Sequence, residues 1–290
     1  MRSTRTSLLA ASVVIAGCRS TTVPSPVLQP VAATASNDTS TKSIGSWVLI
    51  PNRQPHTYHS VSQTTVHEFS NSTTRQNTIE ISTTFTISLD QTHTPLIISG
   101  RIDTVNFRPQ NQPSPENKVS LPLLFEGELS STALTISTKN SQTTDRICSP
   151  SISSILGDLR AIVTIFPSHL TPGFTWKDST LVTTCTTGGI PTARKTTQQF
   201  RVIGERIFNS TRAILLQRLD STYVSGDGTE GNHQIHLEGA GTGTANLYIN
   251  PITAVTLQTE LSEKLEITVT NSGRTRHFIQ EVTQKLETIN

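Results

Sequence analysis

The chain has 290 residues, 33% of them apolar, and a formal net charge of +2. Setting aside Arg2 and Arg5, which fall in a leader, leaves 21 basic residues against 21 acidic ones. That neutrality, with no Lys/Arg clusters, excludes a nucleic-acid or polyanion binder, whose affinity comes from neutralising phosphates.

The leader comes first. Leu8–Cys18 reads LLAASVVIAGC, too short for the roughly 20 apolar residues of a spanning helix. Arg2 and Arg5 precede it and small Ala16-Gly17 close it, the layout of a secretory signal. The tetrapeptide Ile15-Ala16-Gly17-Cys18 resembles the lipobox of bacterial lipoproteins. The resemblance implies a signal peptide over 1–17, cleavage before Cys18, diacylglycerol on the Cys18 thiol and a further acyl chain such as palmitate. It also implies lipid attachment to the bacterial envelope. Arg19, in place of Asp, points to the outer membrane, facing periplasm or cell surface. Two or three acyl chains anchor stably where one is marginal. An ordinary signal that happens to contain a cysteine is the alternative.

Residues 18–42 are expected to form a tether, since Arg19–Thr41 is rich in Ser, Thr, Ala and Pro and has no apolar period. As a flexible coil it would reach about 25–30 Å. A β-rich domain is expected over 43–290, with a possible sub-boundary near 140–150. Trp47 and Leu49 suggest a short first strand. The clearest strand is Thr78–Leu89, with Ile79, Ile81, Thr83, Phe85, Ile87 and Leu89 on one face and polar residues on the other. Such alternation predicts an antiparallel sheet with one dry face. Leu96–Phe107, Val119–Leu129 and Ala133–Thr138 follow.

A helix is predicted from Ser149-Pro150, capped by Ser, with Pro in its first turn and Ile152, Ile155, Leu156 and Leu159 at helical spacing. Once Cys18 is lipidated, Cys148 and Cys185 remain, and an exported chain usually pairs two such cysteines; two free thiols are the alternative. Pro172-Gly173 turns the chain toward Trp176, expected to be partly buried. The C-terminal half reads as a meander: Thr196–Phe208, Ala213–Val224, Gln234–Ile249, Ala254–Leu261, Lys264–Thr270 and Thr275–Glu287. Turns are expected at Asn209-Ser210, Gly226-Asp227-Gly228, Asn250-Pro251 and Asn271-Ser272-Gly273.

Gly239, Gly241 and Gly243 share parity with Ile235, Leu237, Ala245, Leu247 and Ile249. They lie on the apolar face of one strand, not in a strand-to-helix phosphate loop. Either the sheet bends sharply there or a neighbour packs close, or the glycines floor a ligand groove, with Trp176 as a further candidate. His233 and His236, three apart on a strand, face opposite ways and cannot share an ion; the same holds for His56 and His59. No metal or other cofactor is expected. No Gly-x-Ser-x-Gly elbow is present, and no residue stands out as catalytic.

Phe166-Pro167, Pro172-Gly173, Trp176, Gly239–Gly243 and Tyr248-Ile249-Asn250-Pro251 together resemble uncharacterised β-rich envelope lipoproteins. The layout is more distantly similar to half-barrel lipid carriers of the LolA/LppX type, which implies a curved sheet around an apolar cavity. The expected fold is therefore mainly β: a curved antiparallel sheet or open barrel, as one unit or two β halves, with one or two short helices. The expected function is non-catalytic. The protein would bind an apolar or amphipathic ligand on the sheet, or serve as a packed structural or interaction lipoprotein with an envelope protein partner.

Overall fold

A computed structural model describes residues 45–50, 54–70, 73–90, 95–110, 121–129, 134–138, 164–185, 190–230 and 233–289. These residues form strands and turns, with no helix among them. The helix predicted from Ser149 to just before Pro167 lies outside the described residues over 149–163, and its expected last residues, 164–166, are irregular.

Thirteen strands are described. A two-stranded sheet pairs β1 (Trp47–Val48) with β7 (His169–Leu170). The N-terminal meander comprises β2 (His56–Ser70), β3 (Thr73–Asp90), β4 (Leu96–Pro109), β5 (Leu123–Leu129) and β6 (Leu134–Thr138). The C-terminal meander comprises β8 (Thr175–Cys185), β9 (Pro191–Phe208), β10 (Thr211–Glu230), β11 (His233–Ile249), β12 (Thr256–Asn271) and β13 (Arg274–Ile289). An antiparallel ladder between β2 and β13 joins the meanders into one 11-stranded sheet, ordered β6-β5-β4-β3-β2-β13-β12-β11-β10-β9-β8. The edge strands β6 and β8 approach within 8 Å between Cα atoms but share no ladder. The sheet is curved and stays open.

Alternation decides which face is dry. On β3, Ile81, Thr83, Phe85 and Ile87 are buried. On β10, Ile214, Leu216, Arg218, Asp220, Thr222 and Val224 point inward, while Gln217, Leu219, Ser221 and Tyr223 are exposed. The outer face of β9 carries Lys195, Thr197, Gln199 and Arg201. The concave face is therefore the core, and the convex wall is wet.

Three apolar clusters fill the concave face. One joins Tyr58, Phe85, Ile98, Ile102, Phe125 and Leu286, with Tyr58 and Phe85 stacked at 5.6 Å. A second joins Phe200, Val202, Ile214, Leu216, Leu247 and Ile249 to Trp47 and Leu170 of the small sheet and to Leu49 beside it. The small sheet thus covers one end of the large one. The third lies toward the opposite end, around Val224, Ile235, Leu237, Val269 and Phe278. Each such side chain contributes about 1.5–3 kcal/mol when fully buried.

Three expectations change. Ala254–Leu261 and Lys264–Thr270 are one strand, β12, because Ser262 and Glu263 continue both of its ladders. Gly226-Asp227-Gly228 is not a turn but a stretch of β10. A Cβ on Gly226 would lie 2.6 Å from the Pro191 carbonyl oxygen, and one on Gly228 3.0 Å from Ile190; these glycines allow close packing rather than reversal. Strand β2 has no counterpart among the strands expected from sequence.

Candidate functional site

At mid-height the dry face turns polar. Arg218 donates from Nε and Nη2 to Asp220 Oδ2, at 3.1 and 2.8 Å, and both side chains are buried. Arg194 Nη2 donates to both oxygens of Glu263, at 2.5 and 2.6 Å. Glu263 also accepts from Thr222 Oγ1 at 2.8 Å. Arg194 sits on β9 and Glu263 on β12, so this ion pair bridges across β10 and β11. Ser60 and Gln284 continue the belt, bonded at 3.1 Å. Among the described residues of the belt two cations face two carboxylates, Arg194 being part-exposed and the other three buried. Asp220 Oδ1, Thr83 Oγ1 and Thr259 Oγ1 are buried without a hydrogen-bond partner.

The three glycines of β11 lie beside this belt. Gly243 pairs with Asp220 on one side and Glu263 on the other, and a methyl there would touch the Cβ of each. A Cβ on Gly241 would lie 2.1 Å from the Lys264 carbonyl oxygen and 2.6 Å from Leu265 Cδ2; on Gly239 it would lie 2.7 Å from the Glu266 carbonyl oxygen. The space a side chain would need is held by β12. The strip is a close approach of strand on strand. Trp176 is not beside it: it pairs with Phe200, two strands from β11. The two rings stack at 4.6 Å and 4°, and Trp176 Nε1 is buried without a partner.

A hollow of about 520 Å³ opens at the end covered by the small sheet. It is lined by Ser46, Trp47 and Val48, by Ser210, Thr211 and Arg212, and by Asn250, Pro251 and Ile252. Local chemistry fixes all three segments. Trp47 is buried in the second apolar cluster and its indole donates to Glu205. Asn209 and Ser210 turn β9 into β10 with φ of 45° and 62°. Asn250 Oδ1 accepts from the Ile252 and Thr253 amides at 2.9 and 3.0 Å, so Asn250 folds its own turn. The Ile50 amide donates to the Ile252 carbonyl at 3.0 Å.

The hollow is amphipathic. Val48 and Ile252 are more than half exposed, and Ser210 and Thr211 supply hydroxyls. Arg212 forms a fork to Glu205 at 2.7 and 2.6 Å. That fork holds the Glu205 carboxyl below its usual range and raises Arg212.

Elsewhere, burial raises Asp178 against a weaker opposing bond from the Ser179 amide. Burial likewise raises Tyr58 and lowers His56. His236 Nδ1 lies 2.7 Å from Asp227 in an exposed pair, and His233 bonds Ser272 instead. No three His, Cys, Asp or Glu side chains among the described residues come together as metal ligands. Cys18 and Cys148 lie outside the described residues, and with them the lipidation site and the Cys148–Cys185 pairing; Cys185 ends β8.

No known family and no curated protein matches the chain. Among solved structures, OccK2 (OpdF) of Pseudomonas aeruginosa is similar at 5% identity and a TM-score of 0.28, over 85% of this chain and 100% of that one. The same protein in complex with glucuronate is similar at 7% identity and a TM-score of 0.26, over 81% and 98%. At those scores the architecture described here rests on its own ladders.

Proposed function

We propose that this is a non-catalytic lipoprotein of the bacterial envelope, lipidated at Cys18, that binds an amphipathic ligand in the hollow at the end of its curved sheet. The observation that carries the reading is the hollow: an open depression of about 520 Å³, with Trp47, Val48 and Ile252 beside Arg212, Ser210 and Thr211. An apolar chain suits the first group and a polar head the second. The glycine strip offers no such room, so the ligand is assigned to the rim. Exposed clusters of apolar residues mark interaction sites more often than chance surface.

Anchoring rests on the lipobox resemblance. Cys18→Ser should release the protein from membranes, read by fractionation and immunoblotting; unchanged recovery with membranes would reject lipidation at Cys18. Ligand binding is tested by exporting the chain from Arg19 onward under a general secretory leader and taking a native mass spectrum without detergent. A lipid-like adduct near one to one, lost in Ile252→Asp, supports the reading. A clean apo mass that stays clean after incubation with envelope lipid extract rejects it in favour of a structural or interaction lipoprotein. The filled concave face favours that second reading.

A further inference from the structure

The hollow belongs to a larger apolar rim. Ile50 and Ile252 are joined through their backbones, and Ile207 pairs with Arg212 across the β9–β10 ladder. Val48, Ile50, Ile207 and Ile252 are each exposed by 56–70%. Four large aliphatic side chains thus stand in water at one end of the molecule, drawn from three segments far apart in sequence. Arg212 lies among them, and exposed Arg206 bonds the Glu205 carbonyl at 2.8 Å rather than a carboxylate. The opposite end is different. Among the residues described there, Asp227, Thr229, His233 and Asn271–Arg274 are polar, and Phe69 is an exposed apolar side chain.

The chain that leads to Cys18 joins the domain at this same rim. Gly45, the first residue described, stands just before Ser46 and Trp47, which both line the hollow. Residues 18–44 are the whole length between the anchor and the rim. An anchored domain therefore meets its bilayer most readily through the end from which the tether leaves.

We propose that this rim lies on the phospholipid surface, with Val48, Ile50, Ile207 and Ile252 inserted to interfacial depth and Arg206 and Arg212 at the level of the phosphates. Apolar tips flanked by Arg206 and by the Arg212–Glu205 pair match the layering of a membrane interface. The inference rests on the anchoring reading given above. It also gives the hollow a direction: its mouth opens onto the lipid, so an amphipathic ligand enters from the bilayer rather than from water.

The test uses the lipidated full chain in vesicles of phosphatidylethanolamine and phosphatidylglycerol at three to one. An environment-sensitive fluorophore is placed through Ile252→Cys or, at the far end, through Thr229→Cys, with labelling of the unsubstituted chain subtracted. The expected result is a label at 252 that is blue-shifted and shielded from iodide several-fold better than the label at 229. Vesicle-bound protein whose two labels are quenched equally would overturn the rim proposal and leave the anchor standing. A chain that does not stay with the vesicles would instead reject the anchor. The rim is then read by flotation of the unlipidated chain with the same vesicles. A drop of at least five-fold in Ile50→Ser/Ile252→Ser supports docking, and equal flotation of parent and variant overturns it.

Discussion

Arg218 and Asp220 sit two residues apart on β10, both inward, both sealed from water. Removing one charge strands the other, which costs about 3–5 kcal/mol, whereas replacing both with apolar residues is often close to neutral. Arg218→Met should therefore lower stability by about that amount in urea titrations. Arg218→Met with Asp220→Leu should recover most of it; a double variant as weak as the single would show that the belt depends on Arg218's other contacts. Asp178 gives the opposite sign. Burial raises its folded pKa above the unfolded value near 3.8, so its ionised form opposes folding at neutral pH. That penalty is full above the folded pKa and fades as pH falls toward the unfolded one. Asp178→Asn should raise Tm at pH 7, with the gain shrinking as pH approaches 3.8; a gain independent of pH would point to a cause other than charge.

The strands differ in how openly the sequence declares them. β3 is legible because its inward positions, Ile79 to Leu89, are apolar along most of their length. β2 is not. Its inward positions run Tyr58, Ser60, Ser62, Thr64 and Val66, because its middle crosses the polar belt; a strand facing buried hydroxyls has no apolar period to read. Gly226 and Gly228 mislead for a related reason, since a glycine that admits a neighbour looks in sequence like one that turns the chain. The hollow has no local signature, being assembled from 46–48, 210–212 and 250–252. The strip on β11 makes a graded prediction. The nearest backbone atom to an added Cβ is at 2.1 Å for Gly241, 2.7 Å for Gly239 and 3.1 Å for Gly243. Overpacking costs about 1–3 kcal/mol, so urea midpoints should fall most for Gly241→Ala, less for Gly239→Ala and least for Gly243→Ala. A groove floor would behave differently: stability would hold and ligand would be lost.

At the scale of the molecule, the two meanders meet where the N-terminal strand β2 finds the C-terminal strand β13. Ser60 and Gln284 are 224 residues apart when they bond. Pairing so distant in sequence is slow to form, and it makes the β2–β13 ladder the seam on which unity of the sheet depends. Leu286 is the side chain that fastens it. It is fully buried, lies on β13, and packs in the cluster otherwise built from Tyr58, Phe85, Ile87, Ile98, Ile102, Leu123 and Phe125 of the N-terminal meander. The other two clusters draw mainly on β9 to β13. Truncating Leu286 therefore removes packing from one meander and none from the core of the other. Leu286→Ala should cost about 2–5 kcal/mol, unevenly distributed. Hydrogen exchange in increasing urea should show β3 and β4 amides losing protection well before those of β10 and β11, while the parent loses both together. Parallel loss in the variant would mean that the polar belt, crossing from Ser60 through Gln284 to Glu263 and Arg194, binds the halves more strongly than the apolar seam does.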